Sequence, residues 1–313
     1  MDRIYNNILD ISHNHYKYLM NLENVVGIGL GNKEVNQINT FEPCIHVLVE
    51  QKVPNKFLST NNIIPKSYMG IKTDVIKIGN PKIAYKDAIS QKVRPLEGGC
   101  GISIGDDMET GTLGCIVSKS GKYTTQYYIL SNNHVLANIN KAPLGTPIIQ
   151  PSKEHGGNPT QNIIGHLSNF IPLKLKDGDE ELINHVDCAI GKITRKSLLS
   201  NKIYDIGEII GVCESDLELK VKKVGCVTGL TEGEIRTLGA TLRIDFDENG
   251  ILLFIDQIIA ELHSSAGDSG SIVLNESNEA IGLLFANSPD ERFSFINDIN
   301  IILWLLGVDI YKG

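Results

Sequence analysis

The stretch His263-Ser264-Ser265-Ala266-Gly267-Asp268-Ser269-Gly270-Ser271-Ile272 runs a glycine-flanked serine straight into the apolar residues Ile272-Val273-Leu274. Those three read as a short β-strand. Glycine on both sides of Asp268-Ser269 lets the backbone turn sharply and leaves the Ser269 hydroxyl uncovered. The same turn aims the N–H groups of Gly267 and Ser269 at one point, the geometry an oxyanion hole needs. Four small or polar residues also describe an ordinary hairpin loop. The rest of the chain decides between the two.

A chain of 313 residues with 42% hydrophobic and 21% charged residues is expected to be globular, with a sizeable core. The formal net charge of -8 argues against nucleic acid and anionic membrane as partners, since both want a basic surface. The apolar runs 251–260 and 299–308 are too short to span a bilayer. Met1-Asp2-Arg3-Ile4-Tyr5-Asn6-Asn7 has no apolar core of the kind a signal peptide carries, so a cytoplasmic location is expected. The six cysteines, Cys44, Cys100, Cys115, Cys188, Cys213 and Cys226, form no C-x-x-C pair. They are expected to be buried thiols, and neither zinc nor any other cofactor is expected.

Outward from the serine loop, the texture is that of many short strands. From Gly98 onward, strand-like runs cover 101–104, 112–118, 123–130, 163–167, 186–193, 206–212, 218–224, 235–238, 240–244, 252–259, 271–274 and 280–285, separated by Gly, Asn and Asp turns. Helical patterns between them are missing, so the region 98–313 reads as an all-β barrel or sandwich. Residues 294–306 are apolar at helical intervals up to Gly307 and predict a C-terminal helix, with Trp304 as its anchor on the barrel. Residues 1–97 read as a small α+β domain and connector. They hold an amphipathic helix within 1–22, strands near 24–31, 44–53 and 74–79, a short helical turn at 63–68, and a linker at 79–97. His13 and His15 fall on that first helix and read as a solvated pair.

A serine hydroxyl is a weak nucleophile at neutral pH and needs a base, which in turn needs an orienting carboxylate. Among the eight histidines, His134 stands where the apolar strand Tyr128-Ile129-Leu130 gives way to Ser131-Asn132-Asn133. Asp187 heads another apolar strand in Asn184-His185-Val186-Asp187-Cys188-Ala189-Ile190. The chain order His134, Asp187, Ser269 is one of the orders in which serine triads are known to occur. His185 is the rival base. It faces the same side as Asp187 and beside it, which makes it the weaker candidate.

Ser-Asn-Asn-His-Val-Leu, Val-Asp-Cys-Ala-Ile and Gly-Asp-Ser-Gly-Ser resemble the histidine, aspartate and serine motifs of the trypsin-like (chymotrypsin-fold) serine peptidases. In the N-terminal region, Val-Gly-Ile-Gly-Leu-Gly, Pro65, Thr73-Asp74-Val75 and Arg94-Pro95-Leu96 resemble the bacterial relatives of plant narrow-leaf-type proteases. The resemblance implies a double six-stranded antiparallel β-barrel with a C-terminal helix, behind a small α+β domain. It implies that His134 is general base and acid, that Asp187 orients it, that Ser269 attacks, and that Gly267 and Ser269 hold the oxyanion. It further implies that the strand near Leu284, Phe285, Ala286 and Asn287 lines the substrate pocket, with His263 near the pocket floor. Bacterial members pair the aspartate before the serine with an arginine, and Cys226 stands at that place here. Asp268 therefore needs another donor, and the loop is expected to await a partner or assembly that completes it.

The reading at this level is a serine endopeptidase acting on protein or peptide substrates. A protease-shaped binding or scaffold protein with a silent triad is the alternative.

Overall fold

The computed structural model describes residues 3–35, 38–79, 81, 91–105, 107–175 and 181–313. Most of the expected linker, at 80 and 82–90, lies outside the described residues.

Six strands in the C-terminal half close on themselves. Lys220–Gly225 pairs with Gly229–Asp245, which pairs with Ile251–Glu261, and so on through Phe293–Asp298, Glu279–Asn287 and Ile272–Asn275 back to Lys220–Gly225. Every pairing is antiparallel. Closure consumes the backbone donors and acceptors that an open sheet leaves at its edges. The inward positions carry Val221, Ile235, Ile258, Ala260, Val273, Ile281, Leu284 and Ile296, which form one buried cluster. The earlier half curls a second antiparallel sheet in the order Cys115–Ser120, Thr125–Ser131, Ala189–Ile193, Ile163–Phe170, Pro147–Ile149 and Gly101–Ile104. Its core holds Ile102, Leu113, Ile116, Ile129, Ile148, Ile164 and Leu167. A third cluster lies between the two sheets, where Leu130, Val186, Cys188, Ile272 and Leu283 meet Ile299, Ile302 and Leu306 of the C-terminal helix. The mainly β, double-barrel expectation holds.

The N-terminal helix Arg3–Asn14 packs over the strands Val25–Val35, Ile38–Val49 and Ile71–Lys77. Those strands continue the second barrel's sheet, with Gly27 opposite Leu242 and Ile28 opposite Thr241. Gly229–Asp245 is one strand of 17 residues, where the sequence suggested two short ones. Its bulge at Gly239, at a φ of 60°, is what broke the alternation.

Several local expectations need correction. Residues 293–298 are a strand, because Phe293–Asp298 is held on both sides by barrel neighbours. The helix starts only at Ile299, where the Asp298 carboxylate accepts from Asn300 N and Ile301 N, and it ends at Gly307 in the left-handed region. Trp304 is 79% exposed and anchors nothing, since Ile299, Ile302 and Leu306 supply the buried face. Residues 60–62 form the helical turn, while Ser67–Tyr68 is a short strand. Residues 206–212 reduce to the two-residue strands Gly207–Glu208 and Gly211–Val212. His13 is not simply solvated, because its Nε2 stands 2.7 Å from Asp256 Oδ1.

Candidate active site

Strand register brings the base and the carboxylate together. Ala189 lies opposite Ser131 in the antiparallel pair. Two residues further along, Asp187 therefore arrives beside Asn133 and His134, which open the helical turn Asn133–Leu136. The Asp187 Oδ2 stands 2.5 Å from His134 Nδ1. Its Oδ1 accepts from Asn133 N at 2.7 Å and His134 N at 3.2 Å. Asn297 Oδ1 accepts from Asp187 N at 2.9 Å, and Asn297 Nδ2 is itself held by Gln257 Oε1 at 2.6 Å. Asp187 is fully buried and has every oxygen occupied, so the carboxylate is fixed in position and direction. Phe246 packs edge-on to the imidazole, with ring centroids 6.2 Å apart, and stacks on Phe254 behind it.

The serine loop is anchored by the side chain of Asp268. Lys223 Nζ lies 2.8 Å from Asp268 Oδ2, and neither side chain has any exposed surface. Thr228 Oγ1 donates to the same oxygen at 2.6 Å and accepts from the Lys223 ammonium. Val227 N and Thr228 N donate to Oδ1 at 2.9 and 3.1 Å, and Ser265 N reaches Oδ2 at 3.1 Å. Burial pulls the Lys223 pKa down, and the Asp268 carboxylate works against that pull. The expectation of an Asp268 without a cation is thus overturned. The cation comes from the strand before Cys226 rather than from position 226 itself. Cys226 Sγ instead donates to the Gly267 carbonyl at 3.1 Å, beside Thr112 Oγ1 at 2.7 Å.

These bonds set the backbone at the turn. Gly267 and Gly270 take φ values of 98° and 96°. A Cβ on Gly270 would stand 2.2 Å from both Ser131 Oγ and the Thr112 carbonyl, so neither the conformation nor the space admits another residue. With the Gly267 carbonyl turned to Thr112 and Cys226, the N–H groups of Gly267 and Ser269 donate to no acceptor among the described residues. Two unspent donors, one on each side of Asp268, are available to an anion.

The Ser269 hydroxyl faces the Phe285 carbonyl at 3.4 Å, which is long for an O–H···O bond. His134 Nε2 is enclosed and has no hydrogen-bond partner among the described residues. The His134 imidazole and the Ser269 hydroxyl are therefore not hydrogen-bonded to each other in this structure.

The strand expected beside the serine is there. Leu284 brackets it through Gly270 N and Ser271 O, at 2.8 and 2.9 Å, while its side chain points into the barrel core. Phe285 and Ala286 join a different cluster with Phe246, Phe254 and Phe293. Asn287 Nδ2 crosses to the Ser264 carbonyl at 2.8 Å. His263 is exposed, with Nδ1 3.1 Å from the Glu291 carbonyl. It lines a surface groove with Lys220, Glu232, Glu261 and Arg292. His185 is directed to Asp256, with Nδ1 3.3 Å from Oδ2, and not to Asp187.

Lys223, Asn297 and Phe246 carry much of this arrangement, and none was singled out from sequence. Only Lys223 had a readable signal. In Lys220-Val221-Lys222-Lys223-Val224, strand alternation turns Lys223 inward together with Val221.

No protein-family model and no curated protein sequence matches this chain. Solved structures do. Thermobifida fusca Protease A superimposes with a TM-score of 0.50 at 18% identity, over 69% of this chain and 98% of its own. The chain has the chymotrypsin fold. Cellulomonas bogoriensis chymotrypsin covers the same shares at 17% identity and a TM-score of 0.48. A glutamic acid-specific serine protease matches at 16% identity over 69% of this chain and all of its own, with a TM-score of 0.48. All three bear the names of proteases, and the shared feature at these identities is the fold.

Proposed function

We propose that this protein is a serine-type endopeptidase that hydrolyses peptide bonds through an acyl-enzyme on Ser269. The observation that carries the reading is the fixed His134 Nδ1–Asp187 Oδ2 contact of 2.5 Å, with Nε2 left without a hydrogen-bond partner among the described residues. With Nδ1 donating to the carboxylate, Nε2 holds a lone pair and acts as the base. Ser269 Oγ attacks the scissile carbonyl carbon as its proton passes to Nε2. The N–H groups of Gly267 and Ser269 stabilise the oxyanion that develops. His134 then returns the proton to the leaving amine, and water repeats the sequence to release the acid. The strand 284–287 and the segment 263–266 border the reacting carbonyl as the substrate-binding walls.

One finer expectation goes with this reading. Kinship with the bacterial relatives of plant narrow-leaf-type proteases rests on the sequence segments in residues 25–96. Regulation by a partner or homo-oligomer loses its original ground, because Lys223 already satisfies Asp268.

The second reading, a scaffold with a silent triad, is favoured by the open Ser269–His134 link. A fluorophosphonate probe separates the two. The endopeptidase reading expects an adduct on Ser269, abolished by Ser269→Ala and by His134→Ala, and turnover of a denatured protein substrate. Folded wild-type protein that takes no label at any concentration favours the scaffold.

A further inference from the structure

In the N-terminal sheet the parallel strands Ile38–Val49 and Ile71–Lys77 place His46 opposite Asp74. Cys44, two residues before His46, projects to the same face. A sulfur of Cys44, a ring nitrogen of His46 and a carboxylate oxygen of Asp74 all lie within 4.8 Å of one another. Cys44 is fully buried and His46 is 5% exposed.

The imidazole is held at both nitrogens. Its Nε2 stands 2.9 Å from the Asn32 carbonyl, which only accepts, so Nε2 carries the proton and Nδ1 a lone pair. That lone pair meets the Thr237 hydroxyl at 3.0 Å. The ring lies flat against bare backbone, since a Cβ on Gly31 would sit 2.0 Å from its Cε1. Asp74 is steered by Glu34 N at 2.7 Å and Val75 N at 3.0 Å. Lys33 stands 3.8 Å from the same carboxylate and has a second acceptor, the Thr73 carbonyl at 3.0 Å.

We propose that Cys44, His46 and Asp74 form a binding site for a divalent transition-metal ion of the zinc class. One thiolate, one imidazole and one carboxylate make a set that zinc accepts. Metal–ligand bonds of about 2.0–2.3 Å place ligand atoms roughly 3.3–3.8 Å apart, so a contraction of about 1 Å closes the site. On binding, the Cys44 proton leaves to solvent as the Sγ–metal bond forms, and Thr237 Oγ1 yields its place at Nδ1. Thiolate and carboxylate together neutralise the dication, and water takes the fourth position. A cavity of about 480 Å³, whose lining includes His46, Glu34 and Thr237, adjoins the imidazole. The spacing Cys-x-His with a distant Asp matches no zinc motif, and for that reason the sequence pointed away from metal.

The test is cobalt titration of the full-length, chelator-stripped protein, which does not depend on peptidase activity and is repeated in a Ser269→Ala background. The expected result is saturation at a single equivalent, with a thiolate-to-cobalt charge-transfer band and visible d–d bands of tetrahedral intensity, both displaced by zinc. Cys44→Ser removes the charge-transfer band, Cys226→Ser keeps it, and His46→Ala and Asp74→Asn weaken binding roughly tenfold or more. No charge-transfer band in folded wild-type protein, or a band that survives in Cys44→Ser, overturns the proposal. The three side chains are then hydrogen-bonded core residues.

Discussion

Lys223 and Asp268 form an ion pair of 2.8 Å from which water is wholly excluded, and the nucleophile candidate is the next residue in the chain. A buried pair of this kind is weak evidence for stability as such, because desolvation offsets the attraction. Its removal is another matter. Lys223→Met leaves Asp268 charged, buried and short of its only cation. We expect a loss of about 3–5 kcal/mol in urea unfolding. Labelling of Ser269 by fluorophosphonate should also slow, because the Ser265–Asp268 turn loses its tether. Unchanged unfolding and labelling would show that the pair does not organise the loop.

That pair also marks how far the sequence was legible. Strands were readable because apolar residues alternate, and His134, Asp187 and Ser269 because each sits in a short motif at a strand end. For Lys223, alternation marks the inward turn but not the partner, which lies 45 residues away and meets it only when the barrel closes. The strand Phe293–Asp298 looked helical because an apolar run buried on both sides has no period of its own. Trp304 was misread because an amphipathic face was assumed to include the largest side chain. The joining of the N-terminal strands to Gly229–Asp245 had no signal in either segment, since edge pairing leaves little trace in hydropathy.

Asp187 owes its direction to Asn297 as well as to the backbone of residues 133 and 134. Replacing Asp187 by Asn keeps the shape but lets the imidazole adopt the wrong tautomer. The expected fall in kcat is about 10⁴-fold, by analogy with the known triads. Asn297→Ala removes the acceptor of Asp187 N and the amide that donates to Gln257 Oε1 but leaves every partner of the Asp187 carboxylate in place, so a smaller loss is expected, confined to kcat with KM unchanged. A rise in KM alone would place Asn297 in substrate binding instead.

Asn287 spans the gap between the two segments that border Ser269, and Ser264 is further tied to Ser294 through a 2.7 Å hydroxyl contact. Asn287, Ser264 and Ser294 are all buried and none is charged. The side chains joining these segments are thus neutral and bonded to one another, and on the endopeptidase reading cleavage after small side chains is expected in a peptide library. Asn287→Gly deletes the bridge and should move the preference toward larger apolar residues. Wild-type cleavage after Lys, Arg or Glu would contradict this.

Asp256 joins three parts of the chain, receiving His13 of the N-terminal helix at 2.7 Å and His185 at 3.3 Å. Burial alone would raise its pKa, but the His13 hydrogen bond and the charges of His13 and His185 outweigh it and hold the carboxyl below the usual range. A carboxylate depressed in the folded state contributes its stability fully above the unfolded pKa and loses it as pH falls through the folded one. The urea midpoint should therefore drop more steeply below about pH 4 in wild type than in Asp256→Asn. Above that range the variant should be the less stable of the two, because the histidines lose their anion. Parallel midpoint curves for the two proteins from neutral pH down to acid would show that the His13–Asp256–His185 contact carries no folding energy. The attachment of the N-terminal helix would then rest on its apolar face, Ile8 and Ile11, and on the bond from Thr241 Oγ1 to the Ser12 carbonyl.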